Sequence, residues 1–236
     1  MWRSFLLAYP FAVVYVLAVV PVFVPLTWIT RSIRPLYWLA QLGCRIVLGL
    51  AGVRLRVLHA ERAHRHPCCV FVANHVSNLD APALFGVLPR IAVIMKASLG
   101  RIPLLGYAMR LGGFIPVDRK ARDSRREALR SAVRTLRSGI SMLVFPEGTR
   151  NRPGPLLPFR PGPFQMAIEA GVPVVPVTVH RAGELMPREL SYARPGTMTL
   201  AFHAPVPTDG LGIADRHSVS ARIRALMQEA LDEPTP

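Results

Sequence analysis

The chain has 236 residues, 51% of them hydrophobic, and a formal net charge of +15. That is enough apolar sequence for one α/β domain with a sizeable core and an additional segment. Its three cysteines, Cys44, Cys68 and Cys69, stand at no metal-ligand spacing, which argues against a disulfide framework or a zinc site and for a reducing compartment. The basic excess suits anionic partners: nucleic acid, an anionic membrane face or phosphorylated substrates. Only Lys96 and Lys120 are lysines, so the excess is arginine, the residue suited to bidentate phosphate recognition.

Residues 4–30 carry no charge and include Pro10, Pro21 and Pro25. The run is too long for a signal-peptide apolar region, and no small-x-small cleavage site follows it. It is long enough to cross a bilayer, and its prolines predict kinks. Residues 35–53 form a second apolar stretch interrupted by Arg45. An arginine at mid-membrane costs about 2.5–3.5 kcal/mol, which argues against a second clean crossing. Arg31 and Arg34, between the stretches, oppose a hairpin that spans twice. A helical pair buried in one leaflet removes that conflict. Residues 1–53 are therefore expected to form an apolar, membrane-associated helical segment, and 54–236 an α/β domain.

In that domain, residues 54–66 read as an edge strand and a loop, and 69–73 as a buried strand. A short helix follows Asp80; residues 91–95 form a second buried strand ending at Lys96; a small helix runs to Leu111. A third strand ends at Asp118 and Arg119, and residues 122–138 form an amphipathic helix whose arginines make a solvated face. Residues 140–145 form a fourth strand, 164–170 a helix, 172–179 a fifth strand, 197–203 a sixth, and 218–231 a final amphipathic helix. Pro173 and Pro176 do not suit a central ladder, so part of the fifth strand should be an edge or a bulge. Alternating strands and helices predict a mixed, largely parallel sheet flanked by helices.

Three of these strands end in polar groups: His75 with Asp80, Asp118 with Arg119, and Glu147, Gly148, Thr149 and Arg150. In an open α/β sheet, ligands gather outside the carboxyl ends of strands, so the three clusters are expected to share one site. Asp80 is five residues from His75, close enough across a turn for its carboxylate to fix the ring tautomer and leave the other nitrogen free as a base. The alternative is a buried histidine satisfied by backbone, with Asp80 as a helix N-cap. Lys96 either faces a phosphate or carrier or simply closes its strand.

These motifs resemble those of the 1-acyl-sn-glycerol-3-phosphate acyltransferases of the phospholipid/glycerol acyltransferase family. The N-H-x4-D motif stands at Asn74, His75 and Asp80. A G-x-I-x-x-D-R motif stands at Gly113, Ile115, Asp118 and Arg119, F-P-E-G-T-R at 145–150, and V-P-V-V-P-V at 172–177. Lys96, Leu99, Pro103 and Gly106 follow a fifth family pattern. Val76, Pro116 and the pair Arg160 and Pro161 depart from the usual residues and touch substrate preference more than chemistry. The resemblance implies acyl transfer from acyl-CoA or acyl-carrier protein, used as co-substrate with no cofactor or metal, to the free hydroxyl of lysophosphatidic acid. In that reading His75 is the general base and Asp80 orients it. Arg119 and Arg150 hold the acceptor phosphate, Glu147, Gly148 and Thr149 shape its pocket, and Ser77 caps the following helix. The site faces the cytoplasmic side of the membrane. Glycerol-3-phosphate, a lyso-ornithine lipid or another lysophospholipid are alternative acceptors. A basic membrane- or nucleic-acid-binding protein is the rival class, but no nucleic-acid motif is present and aromatics do not interleave with the arginines.

Overall fold

A computed structural model describes residues 1–118, 120–152 and 154–233. After a short π-turn (Ser4–Ala8), its elements in chain order begin with α1 (Tyr9–Thr30), α2 (Arg34–Leu50), β1 (Val53–Leu58), β2 (Val70–Ala73), α3 (Asp80–Val87) and β3 (Ile91–Lys96). They continue with α4 (Leu105–Leu111), β4 (Ile115–Val117), α5 (Arg122–Arg137), β5 (Ser141–Val144), α6 (Gly162–Ala170), β6 (Val174–His180), α7 (Ala182–Leu185), β7 (Gly196–Phe202) and α8 (Arg216–Asp232). The strands form one sheet in the order β1-β7-β6-β2-β5-β3-β4. The five from β6 to β4 are parallel; β7 is antiparallel to β6, and β1 runs with β7.

β2 lies at the centre because it is apolar on both faces, as a strand covered by helices on both sides must be. Phe71 and Ala73 point into a core shared with α2 and α3 through Tyr37, Leu48, Ala83 and Leu84. Val70 and Val72 point into the opposite core with Ala132 of α5, Phe164 of α6 and Ile223 of α8. The sheet is thus sandwiched between two helical layers, and the chain leaves its middle strand at His75.

β6 is an interior strand, between β7 and β2, so of the two alternatives expected there, an edge or a bulge, the edge is not found. Residues 177–180 pair with 202–199, whereas Val174 bridges Val206, one residue out of that register. Pro176 sits at the slip: its carbonyl still accepts from His203 N at 2.9 Å, and its missing N–H falls where the ladder shifts. The irregularity is a bulge on the returning chain.

α1 and α2 differ sharply. Residues 4–30 are long and apolar enough to cross a membrane, and only 17% of their most apolar window is buried. α1 runs on through Pro21 and Pro25. α2 instead docks on the sheet domain. Arg45 Nε donates to Gly86 O at 2.6 Å, and Gln41 Nε2 donates to Phe85 O and Leu88 O at 3.0 and 2.7 Å. These donors satisfy carbonyls at the C-terminal end of α3 that the helix leaves open. Tyr37 Oη accepts from Ile91 N at 2.8 Å. Arg45, though exposed, therefore latches α2 to α3.

Behind the sheet centre, Thr178 Oγ1 lies 3.0 Å from His203 Nε2 and 3.1 Å from His180 Nε2. Burial pushes both rings below the usual histidine value. For His203, the Arg62 guanidinium and the His180 and His59 rings add to this and bring it to about 4. The unfolded ring titrates near 6.5, so the unfolded chain binds the extra proton between those values. The stability from a neutral His203 is complete above the unfolded value and is lost as pH falls toward the folded one. Between about pH 7.5 and about pH 5 the loss should reach about 2 kcal/mol. Urea midpoints measured at both pH values should show it, and His203→Gln should flatten the difference; an unchanged slope in the variant would assign the effect to other groups.

Candidate active site

The turn that follows β2 is organised by one carboxylate oxygen. Asp80 Oδ2 accepts from His75 Nδ1, Val76 N and Ser77 N, each at 2.8 Å. Asp80 is fully buried, and Oδ1 has no hydrogen-bond partner among the described residues. The carboxylate's whole hydrogen-bond load therefore rests on the oxygen that faces His75. Leu79 is the N-cap of α3 and Asp80 the first helical residue, with no side-chain cap, so the N-cap alternative does not describe the structure. The negative group does sit at the positive end of the helix, where it is favoured. An ionised Asp80 keeps the proton on Nδ1 and leaves Nε2 as the ring's open base site. The His75 side chain is 18% exposed.

Two residues that the motifs include without an assigned role set the surroundings of the His75 ring. Phe145, at the end of β5, stacks on it with centroids 4.2 Å apart and planes at 23°. Asn74 donates to Val179 O at 3.0 Å and accepts from Val179 N at 2.7 Å, tying the end of β2 to β6. An asparagine directly before the histidine, at a strand end, was the available signal.

Glu147 joins this turn to the next strand's loop. Its Oε1 accepts from His75 N at 2.9 Å and its Oε2 from Leu157 N at 3.1 Å, and the residue is 4% exposed. Burial is the largest influence on its carboxyl and pushes it up, while the two backbone donors and the His75 ring pull it down. Asn151 N donates to His75 O at 2.6 Å, so the loop after β5 is stitched directly to the histidine. Gly148 has φ +71°, which favours glycine, and a Cβ there would fall 2.5 Å from Arg160 Nε and push that flexible side chain aside. Thr149 is exposed and Arg150 half-buried; Arg188 donates to Arg150 O at 3.2 Å. Arg150, Arg160 and Arg188 thus gather around one loop beside His75; Arg160 was expected from sequence only to touch substrate preference, and Arg188 was not expected there.

The remaining expected residues lie apart. Asp118 accepts from Lys120 N at 3.0 Å and its own N–H donates to Ser124 Oγ at 2.9 Å, a local turn at the start of α5. It follows β4, the edge strand three places from β2, about 14 Å at ordinary strand spacing. Arg119 lies outside the described residues. Lys96 is exposed at the end of β3, two places from β2. The structure therefore joins the first and third clusters and leaves Asp118 of the second at the sheet edge. Ser77 is fully buried; its hydroxyl donates to Met186 O at 2.8 Å and accepts from Leu79 N at 3.2 Å, at the start of α3. Among the described residues, no group of three or more His, Cys, Asp or Glu is placed to hold a metal ion.

An apolar cavity of about 450 Å³ opens between α1, α2, α3 and α4. It is lined by Ala81 and Pro82, directly after Asp80, and by Val16, Val47, Phe85 and Met109, among others.

The chain matches the family model described as Acyltransferase over residues 54–180, more than half its length. The chain belongs to the acyltransferase family. Among its relatives, it is 32% identical over 190 residues to the human 1-acyl-sn-glycerol-3-phosphate acyltransferase beta, covering 80% of this chain and 63% of that one. It is 35% identical over 139 residues to the chloroplastic 1-acyl-sn-glycerol-3-phosphate acyltransferase BAT2 of Brassica napus, covering 58% and 40%. The chain thus spans less than two thirds of the length of these relatives. The crystal structure of the 1-acyl-sn-glycerophosphate (LPA) acyltransferase PlsC from Thermotoga maritima superposes with a TM-score of 0.77 at 26% identity, covering 99% and 98% of the two chains. The family match runs from β1 to the end of β6, so it includes every strand end that carries His75, Asp80 and Glu147.

Proposed function

We propose that this acyltransferase moves a fatty acyl group from acyl-CoA or acyl-carrier protein to the free hydroxyl of lysophosphatidic acid, giving phosphatidic acid. The observation that carries the reading is the 2.8 Å contact between His75 Nδ1 and Asp80 Oδ2, with the other ring nitrogen free beside an arginine-rich loop. His75 Nε2 takes the hydroxyl proton. The alkoxide oxygen attacks the thioester carbonyl, the carbon–sulfur bond breaks, and the departing sulfur takes the proton back from the imidazolium. Asp80 orients the ring and stabilises its cationic form. No covalent acyl-enzyme forms, consistent with the buried, doubly bonded Ser77 hydroxyl.

Arg150, with Arg160 and Arg188 around the same loop, takes the acceptor phosphate through charge-assisted hydrogen bonds. Glu147 holds the loop in register, and Gly148 and Thr149 line its approach. Arg119 and Lys96 are assigned to the phosphate or the carrier. The 450 Å³ cavity takes the acyl chain: its volume falls within the ~300–1,000 Å³ of ligand pockets, and it reaches the residues after Asp80. Residues 1–53 dock the domain in one leaflet of the membrane, with the site on the cytoplasmic face; the exposed apolar side of α1 supports this.

Acceptor competition in one detergent preparation tests the reading. Oleoyl-CoA with an equimolar mixture of lysophosphatidic acid, glycerol-3-phosphate and lysophosphatidylcholine should give mainly phosphatidic acid by mass spectrometry. Arg150→Ala should raise KM for lysophosphatidic acid on the order of tenfold while the oleoyl-CoA KM changes little. Dominant acylation of lysophosphatidylcholine would replace the acceptor, and an equal KM change for both substrates would remove Arg150 from the phosphate site.

A further inference from the structure

At the end of the molecule away from His75, a second cavity of about 520 Å³ opens where α1 turns into α2. Arg31, Arg34 and Arg90 line it with Ser32, and no carboxylate is among its lining residues. All three arginines are exposed. Arg90 immediately precedes β3, whereas His75 follows β2; both strands run parallel to β5, so the cavity and the candidate active site lie at opposite ends of the sheet. The cavity is therefore not the acceptor phosphate site proposed above.

Its surroundings are apolar and uncovered. Trp28 lines it and is 61% exposed, and the adjacent Ile29 is 80% exposed. Trp28 meets the half-exposed ring of Tyr107 edge-on, at 6.3 Å between centroids. Three arginines without an acidic partner in the cavity, with exposed Trp28 on its lining and exposed Tyr107 and Ile29 next to that tryptophan, match the boundary where lipid phosphates meet acyl chains. A free anion in water needs the arginines but gives no reason for the exposed aromatic rim.

We infer that the cavity formed by Arg31, Arg34 and Arg90 binds the phosphate of an anionic lipid of the bilayer on which α1 lies. The inference rests on the leaflet docking of α1 proposed above and adds a specific lipid contact to it. The lipid phosphate accepts from the three guanidinium groups, and its acyl chains lie along the exposed side of α1. Binding there holds α1 at headgroup depth from its C-terminal end, while the other end is fixed to the domain by Ser4 Oγ, which accepts from Ala193 N at 3.0 Å.

Flotation of the full chain with vesicles tests this. One vesicle is phosphatidylcholine alone; the other contains a minority of phosphatidylglycerol. The variant R31Q/R34Q/R90Q should partition onto the anionic vesicles about 100-fold more weakly than wild type, about fivefold per arginine, with its binding to phosphatidylcholine unchanged. The control R122Q/R126Q/R130Q removes the same charge from exposed positions on α5, in the opposite helical layer, and should change partition by less than about twofold. Acyl transfer in neutral detergent should be unchanged in R31Q/R34Q/R90Q, which verifies that it folds. Equal losses in both triple variants would reduce the effect to diffuse charge and overturn the inference. Displacement of wild type from anionic vesicles by millimolar inorganic phosphate would make the cavity a free-anion site and overturn it too. Failure of wild type to bind phosphatidylcholine, with a pocket-dependent response to phosphatidylglycerol retained, would remove the leaflet docking of α1 and leave the phosphate contact standing.

Discussion

His75→Ala should lower kcat for acyl transfer by about 10²–10⁴-fold, the usual contribution of a positioned general base. The size of the loss follows from what the ring does alone. Its Nδ1 is committed to Asp80 at 2.8 Å, so Nε2 is its single open position, and the buried Ser77 offers no substitute nucleophile. The protein should still fold. Asp80 Oδ2 keeps the Val76 and Ser77 amides, and the backbone bonds from His75 N to Glu147 and from Asn151 N to His75 O do not involve the ring. Thermal unfolding of the variant should therefore stay near wild type while turnover is lost at saturating donor and acceptor. A kcat within about tenfold of wild type would take the proton transfer away from His75.

Asp80→Asn should lower kcat on the order of 10³-fold with small changes in either KM. Asparagine fits the same space, and its oxygen can still accept from Val76 N and Ser77 N. It carries no charge to stabilise the imidazolium that forms when the acceptor hydroxyl is deprotonated. Asp80→Ala separates this electrical role from a structural one. It strips the acceptor from two backbone amides beside a fully buried position, at a cost of about 1–3 kcal/mol for each amide left buried without a partner. The alanine variant should lose both stability and activity, the asparagine variant mainly activity. An asparagine variant with wild-type kcat would limit Asp80 to holding the turn.

Much of this site could be read from residue order because its chemistry is local. A four-residue apolar strand running into Asn74 and His75, with an acid five residues on, needs only a turn to bring the two groups together, and the turn is there. The arginine-rich helix and the strand that leads to Glu147 were legible for the same reason: period and terminus are properties of neighbouring residues. Sheet order is not. Nothing near Asp118 says that β4 will take the edge, so Asp118 was expected beside His75 and lies three strands away. Pro176 looked incompatible with an interior strand because the one-residue slip that accommodates it belongs to the chain around His203 to Val206, 27 or more residues later. Arg45 read as a charge in an apolar run; its partner, the Gly86 carbonyl, is 41 residues away. The motifs include Phe145, and Arg160 was noted beside them, but neither their contacts nor Arg188 could be read, because an aromatic at a strand end and exposed arginines in loops carry no local mark of what they touch.

The most direct measurement of the central claim is thiol release from oleoyl-CoA by the purified chain in detergent, with and without lysophosphatidic acid, run beside His75→Ala. The account predicts release that requires lysophosphatidic acid, yields one phosphatidic acid per thiol, and disappears in the variant. Release that proceeds equally without the acceptor, or that survives the loss of His75, would contradict it.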